Sequence, residues 1–511
     1  MSGARDTIAA RNARARRARR SASPHDAEAA TGTVVPRQPP SPQSDHRAPG
    51  RLAHLFADRA SLDLDRRFPH LSAMRALLPR QGLWLRRIAA ILGIAGIIAP
   101  LVILLGTTGI LFAGFAALTL WRIAIITFSF ALKRPNTQPP APTGYLPIYT
   151  VMVALYDEAA AVPGLAKALC ALDWPETRLD VLILMEQGDG VTQAAAAAVR
   201  WPAGTRRLVL PPGSPQTKPR ALNFGLHHAR GRYVCIYDAE DRPGPSQLKA
   251  AFAAFEHAPD PLACVQAPLV AFNRRQSWIA AHWSLEYAIQ FSRLLPAQAR
   301  LGLPILLGGT SNHFDAQVLR QLGAWDAWNV TEDADLGIRI ARLGYGTTTI
   351  DVPTLEEAPE TLGVWTAQRS RWLKGFIVTW LVLMRNPAES RRRLGLGGLL
   401  TVHAGLLGTV LTSLAHAPLL AWCAASLAMG NAGWVGAGLA VLFAGYGATF
   451  VAGLAAPPWA GRPRLTTLLT LPFYWPLHSI AAIRAIYGLF HAPSFWAKTP
   501  HGLTQAVPAG H

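Results

Sequence analysis

Long apolar segments flank the middle of the chain. The apolar pattern of residues 88–132 is interrupted by a single charged residue, Arg122. About 20 consecutive apolar residues span a bilayer, so this segment is long enough for two spans. We expect a transmembrane hairpin over 88–132, with its turn near Gly106–Gly109.

The apolar pattern returns near the carboxyl end, after three arginines at 391–393. His416 and Pro418 interrupt the first candidate span, which is therefore either one kinked span or two short ones. The pattern leaves the number of spans open. The candidate spans are about 396–427, 433–455 and 465–487.

Between these segments, residues 142–385 alternate short apolar runs with helical patterns. β-Branched residues recur in the runs, and a turn pattern or a helical stretch follows each one. This alternation is typical of an α/β domain with a mostly parallel sheet. The predicted strands are Ile148–Ala154, Val181–Met185, Arg207–Leu210, Tyr233–Tyr237 and Leu262–Gln266.

Composition argues against both a purely soluble and a wholly disordered protein. Hydrophobic residues make up 50% of the 511 residues and charged residues 15%, against about 25% charged residues in soluble domains. The four cysteines stand too far apart for a zinc or disulfide framework.

The formal net charge of +19 is concentrated at the amino end, where residues 1–87 hold more than half of it. We interpret 1–50 as a disordered basic tail and 51–87 as an amphipathic juxtamembrane segment. The arginine-rich stretch 11–20 either forms a helix on a lipid surface or stays a solvated charge run. Nucleic acid is the weaker partner, because a membrane segment follows directly.

Acidic residues follow three of the predicted strands. In an open α/β sheet, ligands bind beyond the carboxyl ends of the strands, so these acids converge on one edge. Carboxylates at this density favour a hard divalent cation whose remaining ligands are substrate phosphates. Turn and N-cap roles are the alternative, which we favour for Asp157 alone. The acids are Asp157, Glu158, Glu186, Asp189, Asp238, Glu240 and Asp241.

Asp238 and Glu240 are the strongest metal-ligand candidates, because alternate residues on a bent loop can point at one ion. Asp241 is either a competing ligand or a supporting partner. Lys218 stands near the start of a predicted helix, where dipole, amides and side chain together favour an anion. The alternative is an exposed basic pair with Arg220.

A second acidic group begins a helix. Thr331 is a good N-cap, and Glu332, Asp333 and Asp335 fill the first turn. Three acids exceed what capping needs, and a rigidly held carboxylate suits a general base. The helix is expected to bury Leu336, Ile340 and Leu343 and to end at Gly344.

Gln368, Arg371 and Trp372 are three and four residues apart, so they share one face of a helix. An amide, a guanidinium and an indole make a poor core but a good platform for a sugar and a phosphate. The alternative is a tryptophan and an arginine at the membrane surface.

In this order, these features resemble glycosyltransferase family 2, and more narrowly its membrane-embedded polysaccharide synthases of the cellulose and hyaluronan synthase type. The family's D, DxD, TED and QxxRW motifs correspond to Glu186, Asp238–Glu240, Thr331–Asp333 and Gln368–Trp372. The resemblance covers 147–385. Two acids depart from the pattern, since Glu186 and Glu240 each replace an aspartate, and Asp189 is a second candidate for the first motif.

The resemblance implies an α/β GT-A domain inserted between amino- and carboxyl-terminal transmembrane helices, and an inverting transfer. Glu158 and Glu186 would contact the nucleoside, and Lys218 the diphosphate. Asp238 and Glu240 would hold Mg²⁺ or Mn²⁺ on the diphosphate.

For the acceptor side, the resemblance makes Asp333 the general base, with Glu332 beside it. Gln368 and Arg371 would steady the leaving group, and Trp372 would stack on the acceptor sugar. Residues 308–313 would form a small-residue acceptor loop, and Phe495–Gly502 resembles a gating loop.

We therefore expect an enzyme that elongates and exports an extracellular or cell-envelope polysaccharide. Its partners would be a UDP-glucose or UDP-N-acetylglucosamine donor, with GDP-mannose as the other candidate, a growing glycan acceptor, a lipid bilayer and no nucleic acid. By the positive-inside rule, the catalytic domain faces the cytoplasm from a multi-pass bacterial-type inner membrane. Transfer of one sugar to a polyprenyl or lipid phosphate is the alternative, and an inactive membrane scaffold is a third. The expected segments are 1–50, 51–87, 88–132, the catalytic domain 142–385, the membrane or interfacial region 396–490, and the tail 491–511.

Overall fold

The computed structural model describes residues 51–132, 145–258, 261–430 and 435–492. The predicted tail 1–50 and the gating-loop-like stretch Phe495–Gly502 lie outside the described residues. Of the described helices, four are long and apolar enough to cross a membrane. This supports a membrane association.

The amino-terminal apolar segment forms two helices, as expected, but they divide at a different place. Helices α2 (Pro79–Ile98) and α3 (Pro100–Ala131) meet at Ala99, and α3 runs straight through Gly106–Gly109. The predicted turn there is wrong. Proline begins a helix readily but has no amide hydrogen to continue one, so Pro100 sets the break. A shorter helix, α1 (Arg51–Arg67), precedes them.

A seven-stranded sheet occupies the centre of the domain, in the order β3-β2-β1-β4-β8-β6-β9. All pairs are parallel except those that β8 makes with β4 and β6. The predicted mixed α/β architecture is confirmed, and β8 is the antiparallel strand that the apolar pattern did not predict. The strands are β1 (Tyr149–Leu155), β2 (Leu179–Glu186), β3 (Arg206–Leu210), β4 (Tyr233–Tyr237), β6 (Leu262–Gln266), β8 (Asn312–Asp315) and β9 (Gly346–Thr349).

Strands β1, β2 and β4 are almost wholly buried. Two hydrophobic clusters cover the two faces of the sheet, as a parallel sheet requires. The helices of the domain are α4 (Val162–Cys170), α5 (Gly190–Ala198), α6 (Lys218–His228), α7 (Gln247–His257), α8 (Trp278–Ile289), α9 (Leu295–Arg300), α10 (Ala316–Gln321), α11 (Glu332–Arg342) and α12 (Leu362–Leu383).

A small second sheet lies beside the first. It joins β5 (Arg242–Pro243), β10 (Thr354–Glu356) and β7 (Leu269–Ala271), in that order. Its short strands bring the chain that follows the Asp238 turn next to Glu356. This places a further acid near the edge where the predicted ligands lie.

The carboxyl-terminal region contains two long apolar helical stretches. Helix α13 (Pro387–His403), one irregular turn and α14 (Thr409–Ala428) form the first, and α15 (Val435–Leu454) forms the second. The predicted single span at 465–487 is wrong. Pro472 and Pro476 divide that segment into three short helices, α16 (Leu465–Leu469), α17 (Leu471–Tyr474) and α18 (Leu477–His491).

Candidate active site

The predicted site residues line one cavity of about 650 Å³. It begins at the carboxyl ends of β1, β2 and β4 and extends between α8, α12 and the apolar helices α3, α14 and α15. The ten leading site residues proposed from the sequence all line it: Glu158, Glu186, Lys218, Asp238, Glu240, Glu332, Asp333, Gln368, Arg371 and Trp372.

Asp241 stabilises the turn after β4. Asp241 accepts a hydrogen bond from the Asp238 amide at 2.7 Å and another from the Thr310 hydroxyl. Asp241 is therefore the supporting partner of the turn through this oxygen. Its other carboxylate oxygen, Oδ1, is buried without a hydrogen-bond partner in the described structure.

Lys218 begins α6, as predicted, and faces into the site. Its ammonium pairs with Asp238 and donates to the Gly309 carbonyl at 2.7 Å. Arg220 is not the exposed partner considered above, because it is 1% exposed and pairs with Glu186 at 3.4 Å. Burial raises the pKa of Glu186, and Arg220 opposes that rise. The first motif is therefore a buried ion pair at the wall of the cavity.

The carboxylates after β4 fit a divalent cation whose other ligands come from the substrate. No group of three or more histidine, cysteine, aspartate or glutamate side chains within the described residues is placed to hold a metal by itself. Yet burial and neighbouring acids raise the pKa of both Glu240 and Asp241. Two or fewer carboxylates, with phosphate oxygens completing the shell, is the arrangement typical of Mg²⁺ on a nucleotide.

Asp333 lies opposite this turn, in the first turn of α11. Its Oδ1 accepts from the Ala334 amide at 2.7 Å, and a Cβ placed on Gly309 would lie 3.5 Å from its Oδ2. Burial raises the pKa of Asp333 and of the adjacent Glu332. Thr331 holds the N-cap position, but its side chain makes no cap. Its hydroxyl instead donates to Asn329 at 3.3 Å.

The loop before β8 narrows the space beside Asp333. Gln266 accepts from the Gly308 amide at 2.8 Å, and Asn312 donates to the Gly308 carbonyl at 2.6 Å. Gly308 and Gly309 line the cavity, whereas His313 is buried in the sheet against Tyr149. Only the beginning of the predicted acceptor loop therefore faces the site.

Helix α12 presents Gln368, Arg371 and Trp372 to the cavity. Gln368 accepts from the Trp283 indole at 2.9 Å, which fixes its amide. The ring of Trp372 is stacked with Tyr287 at a centroid distance of 6.2 Å. Burial lowers the pKa of Arg371, and nearby acids, Glu332 first, oppose this.

Sequence reasoning missed several polar side chains of the cavity, among them Glu356, Glu286 and Arg369. Glu356 ends β10 with a buried oxygen that has no hydrogen-bond partner in the described structure. Glu286, on α8, pairs with Arg369 and, at 3.3 Å, with His478. Arg369 lies inside the QxxRW motif, so the sequence could have indicated it. Its partner Glu286 is 83 residues away in the chain, and the sequence does not indicate that pairing.

Asp189 stabilises two turns that follow strands. Its Oδ1 accepts from the Thr192 amide at 3.1 Å, which caps α5, and its Oδ2 accepts from the Asp157 amide at 2.5 Å. Both oxygens serve the backbone of the strand-to-helix turns. Glu186 remains the first-motif acid that lines the cavity.

Comparison with protein families now assigns the domain. The glycosyl transferase family 2 model matches residues 150–311, and the glycosyl transferase family group 2 model matches residues 233–437. The chain carries a glycosyltransferase family 2 domain. The prediction of a glycosyltransferase of this family is confirmed, while the narrower synthase type belongs to the proposal below.

The curated relatives are distant. A probable glycosyltransferase, YdaM, of Bacillus subtilis is 25% identical over 45% of this chain and 55% of that protein. Glucomannan 4-beta-mannosyltransferase 1 of Oryza sativa is 24% identical over 47% and 48%. Beta-monoglucosyldiacylglycerol synthase of Nostoc is 23% identical over 53% and 58%. The match thus spans about half the length of these relatives.

Among solved structures, a mannosyltransferase from Pyrobaculum calidifontis in complex with GDP-Man and Mn²⁺ matches with a TM-score of 0.46 and 20% identity. That match covers 74% of this chain and 99% of that one.

Proposed function

We propose that this protein is an inverting membrane hexosyltransferase that uses a nucleotide-diphosphate sugar to elongate a polysaccharide of the cell envelope or exterior. One observation carries the proposal. The acids at the sheet edge and the QxxRW face of α12 line a single cavity that continues between apolar helices. A glycan that leaves the reacting centre would enter that space.

Different residues of the cavity would bind different parts of the donor. Lys218 and Arg371 would bind the diphosphate, and Glu158 and Glu186 would contact the nucleoside. Asp238 and Glu240 would hold Mg²⁺ or Mn²⁺, which neutralises charge on the leaving diphosphate. The unpartnered Oδ1 of Asp241 and the raised pKa of Glu240 support a cation at this turn.

Asp333 would take the proton of the acceptor hydroxyl as that oxygen bonds to the anomeric carbon. Its raised pKa suits a general base that works near neutral pH. The nucleoside diphosphate would leave on the opposite side, and Trp372 would stack on the acceptor ring, with Gln368 and Arg371 at the leaving group. Displacement from the opposite face inverts the anomeric centre.

UDP-glucose and UDP-N-acetylglucosamine are our leading donors, and GDP-mannose is the third. Transfer of one sugar to a lipid phosphate is the second candidate function. It is favoured by the apolar helices that line the same cavity and by the relationship to a beta-monoglucosyldiacylglycerol synthase.

We place the protein in a bacterial-type inner membrane, with the catalytic domain facing the cytoplasm. The exposed Cys170 provides the test, since the other three cysteines are buried. A membrane-impermeant thiol reagent should modify Cys170 in permeabilised spheroplasts and spare it in intact ones. Labelling of intact spheroplasts would reverse the orientation.

The activity test supplies radiolabelled UDP-glucose, UDP-N-acetylglucosamine and GDP-mannose to the purified full chain, with Mg²⁺ or Mn²⁺. A large water-soluble product supports elongation, and a product that partitions into organic solvent with one sugar supports the lipid acceptor. Asp333→Asn should abolish either product, whereas Asp173→Asn, at an exposed acid of the same domain, should not. No product from any donor would reject the proposal.

A further inference from the structure

A single charged residue of the apolar helix α3 faces the same cavity. Arg122 lies about two turns beyond Phe115 and one beyond Leu118, and all three residues line the cavity. The side chain is exposed and lines the cavity. A cation on an apolar helix is costly and marks a functional site by default.

The guanidinium of Arg122 has little to neutralise it. Its carbon lies 6.0 Å from the centroid of the Trp475 ring, and Glu286 is the carboxylate whose charge reaches it. No ion pair or hydrogen bond of this guanidinium is found among the described residues. Glu286 already pairs with Arg369 and His478 and accepts from the Tyr474 hydroxyl at 3.1 Å. This part of the cavity therefore holds surplus positive charge and suits an anion.

The position of Arg122 along its helix indicates the kind of anion. The stretch from Pro100 to Trp121 has no charged residue and is long enough to cross the hydrocarbon core. Arg122 follows directly, so a span over these residues would place it near the lipid headgroups, where an amphipathic Trp475 also suits the interface. A guanidinium binds phosphate through two parallel hydrogen bonds.

We infer that Arg122 binds the phosphate of an anionic lipid, which enters the cavity as the acceptor or as the primer that carries the first sugar. The apolar side chains of α3 and α15 would contact the lipid chain, and the part of the headgroup beyond the phosphate would face the catalytic acids. The inference rests on the proposed function, because it assigns the acceptor class of the same cavity.

The test measures lipid binding without any donor sugar. The purified full chain, in nanodiscs of phosphatidylcholine, is offered dioleoyl phosphatidic acid or dioleoylglycerol, which share the same acyl chains. Native mass spectrometry then counts the retained lipid. We expect at least a tenfold preference for phosphatidic acid, lost in Arg122→Gln and largely kept in Arg122→Lys. Arg86→Gln, at an exposed arginine outside the cavity, is the matched control and should keep the preference.

Three results would overturn the inference. In the first, Arg122→Gln binds phosphatidic acid like the wild type, and in the second it loses both lipids equally. In the third, inorganic phosphate displaces the lipid at equal concentration, which indicates a site for free anions. Thermal unfolding of each variant separates loss of binding from loss of folding. If Arg122→Gln does not fold, the lipid preference of Arg122→Lys provides the test.

Transfer assays distinguish this inference from the proposed function. A wild type that binds phosphatidic acid through Arg122 but transfers no hexose from any donor rejects the function and keeps the lipid site. A wild type that transfers hexose to a neutral acceptor, with no lipid preference and with the same KM in Arg122→Gln, keeps the function and rejects the lipid site.

Discussion

Two acids on the walls of one cavity differ in what surrounds them. Burial raises the pKa of both Glu286 and Asp333. At Glu286, the charges of Arg369 and His478 more than offset burial and lower the pKa to about 2. At Asp333, the Ala334 amide and the more distant Lys218 offset burial only in part, and the pKa stays well above its usual value of 3.8.

The difference shows how one residue type can serve architecture at one position and, under the proposed function, chemistry at another. A carboxylate that is ion-paired on two sides is a fixed anion that holds α8 against α12 and α18. A buried carboxylate without such pairing is balanced between its protonated and ionised forms, which is what proton transfer requires. The predictions below test this contrast.

The largest effect should follow from Asp333→Asn. Loss of a general base costs about 10²–10⁴ in rate, so kcat should fall by that factor while donor binding, measured by calorimetry, stays within about twofold. A variant that keeps more than a tenth of the wild-type kcat would remove Asp333 from the proton transfer.

Glu286→Gln should act on stability. Breaking a buried ion pair by removing one partner costs about 3–5 kcal/mol, because Arg369 is left without its carboxylate. Thermal unfolding in detergent should show a markedly lower Tm. Glu256→Gln, at a half-exposed pair with Arg232, is the matched control, for which surface pairs predict at most about 1 kcal/mol. Equal shifts in the two variants would break the contrast.

The pH dependence should separate the two acids. A raised pKa keeps Asp333 protonated to a higher pH, so kcat/KM should fall as the pH drops through a value well above 4. Glu286 has a lowered pKa, so its stabilisation is present above about pH 4.5 and lost as the pH falls toward 2. The prediction fails if activity and thermal stability are lost together over one pH range.

The smallest effect is expected from Gly375→Ala. Its Cβ would lie 2.8 Å from the Cβ of Thr331, so α12 must move relative to the start of α11, which carries Asp333. Such overpacking costs about 1–3 kcal/mol, and we expect kcat to fall by about tenfold. Gly363→Ala, on the same helix with open space around it, should leave kcat unchanged.

Much of the domain could be predicted from the sequence, because its central strands are short apolar runs and its motifs follow them directly. Strands β1, β2 and β4 matched their predicted runs closely, and the acids of the first three motifs met at one edge. The core face of α11 was right at Leu336 and Ile340, which are buried, whereas Leu343 is only half-buried against the same hydrophobic cluster. Gly344, with a φ of 80°, follows the end of the helix.

What the sequence did not reveal depends on partners far apart in the chain. Strand β8 carries Asn312 and His313 rather than an apolar run, and its antiparallel pairing is set by its neighbours. Glu286 looks like an ordinary helical acid until Arg369 is placed beside it. The break at Ala99 was readable from Pro100, but the glycines at 106–109 were the more prominent turn residues.

The double attachment of Lys218 has a consequence for the order of events. Its ammonium is shared between Asp238, on the donor side, and the Gly309 carbonyl, beside Asp333. These two partners occupy two of the three ammonium N–H groups, so a diphosphate that takes more than the third would displace one of them. Displacement of the Gly309 carbonyl would free it next to Asp333, and under the proposed function the acceptor pocket would be complete only after the donor has arrived. Steady-state kinetics should accordingly show compulsory order, with the sugar nucleotide first.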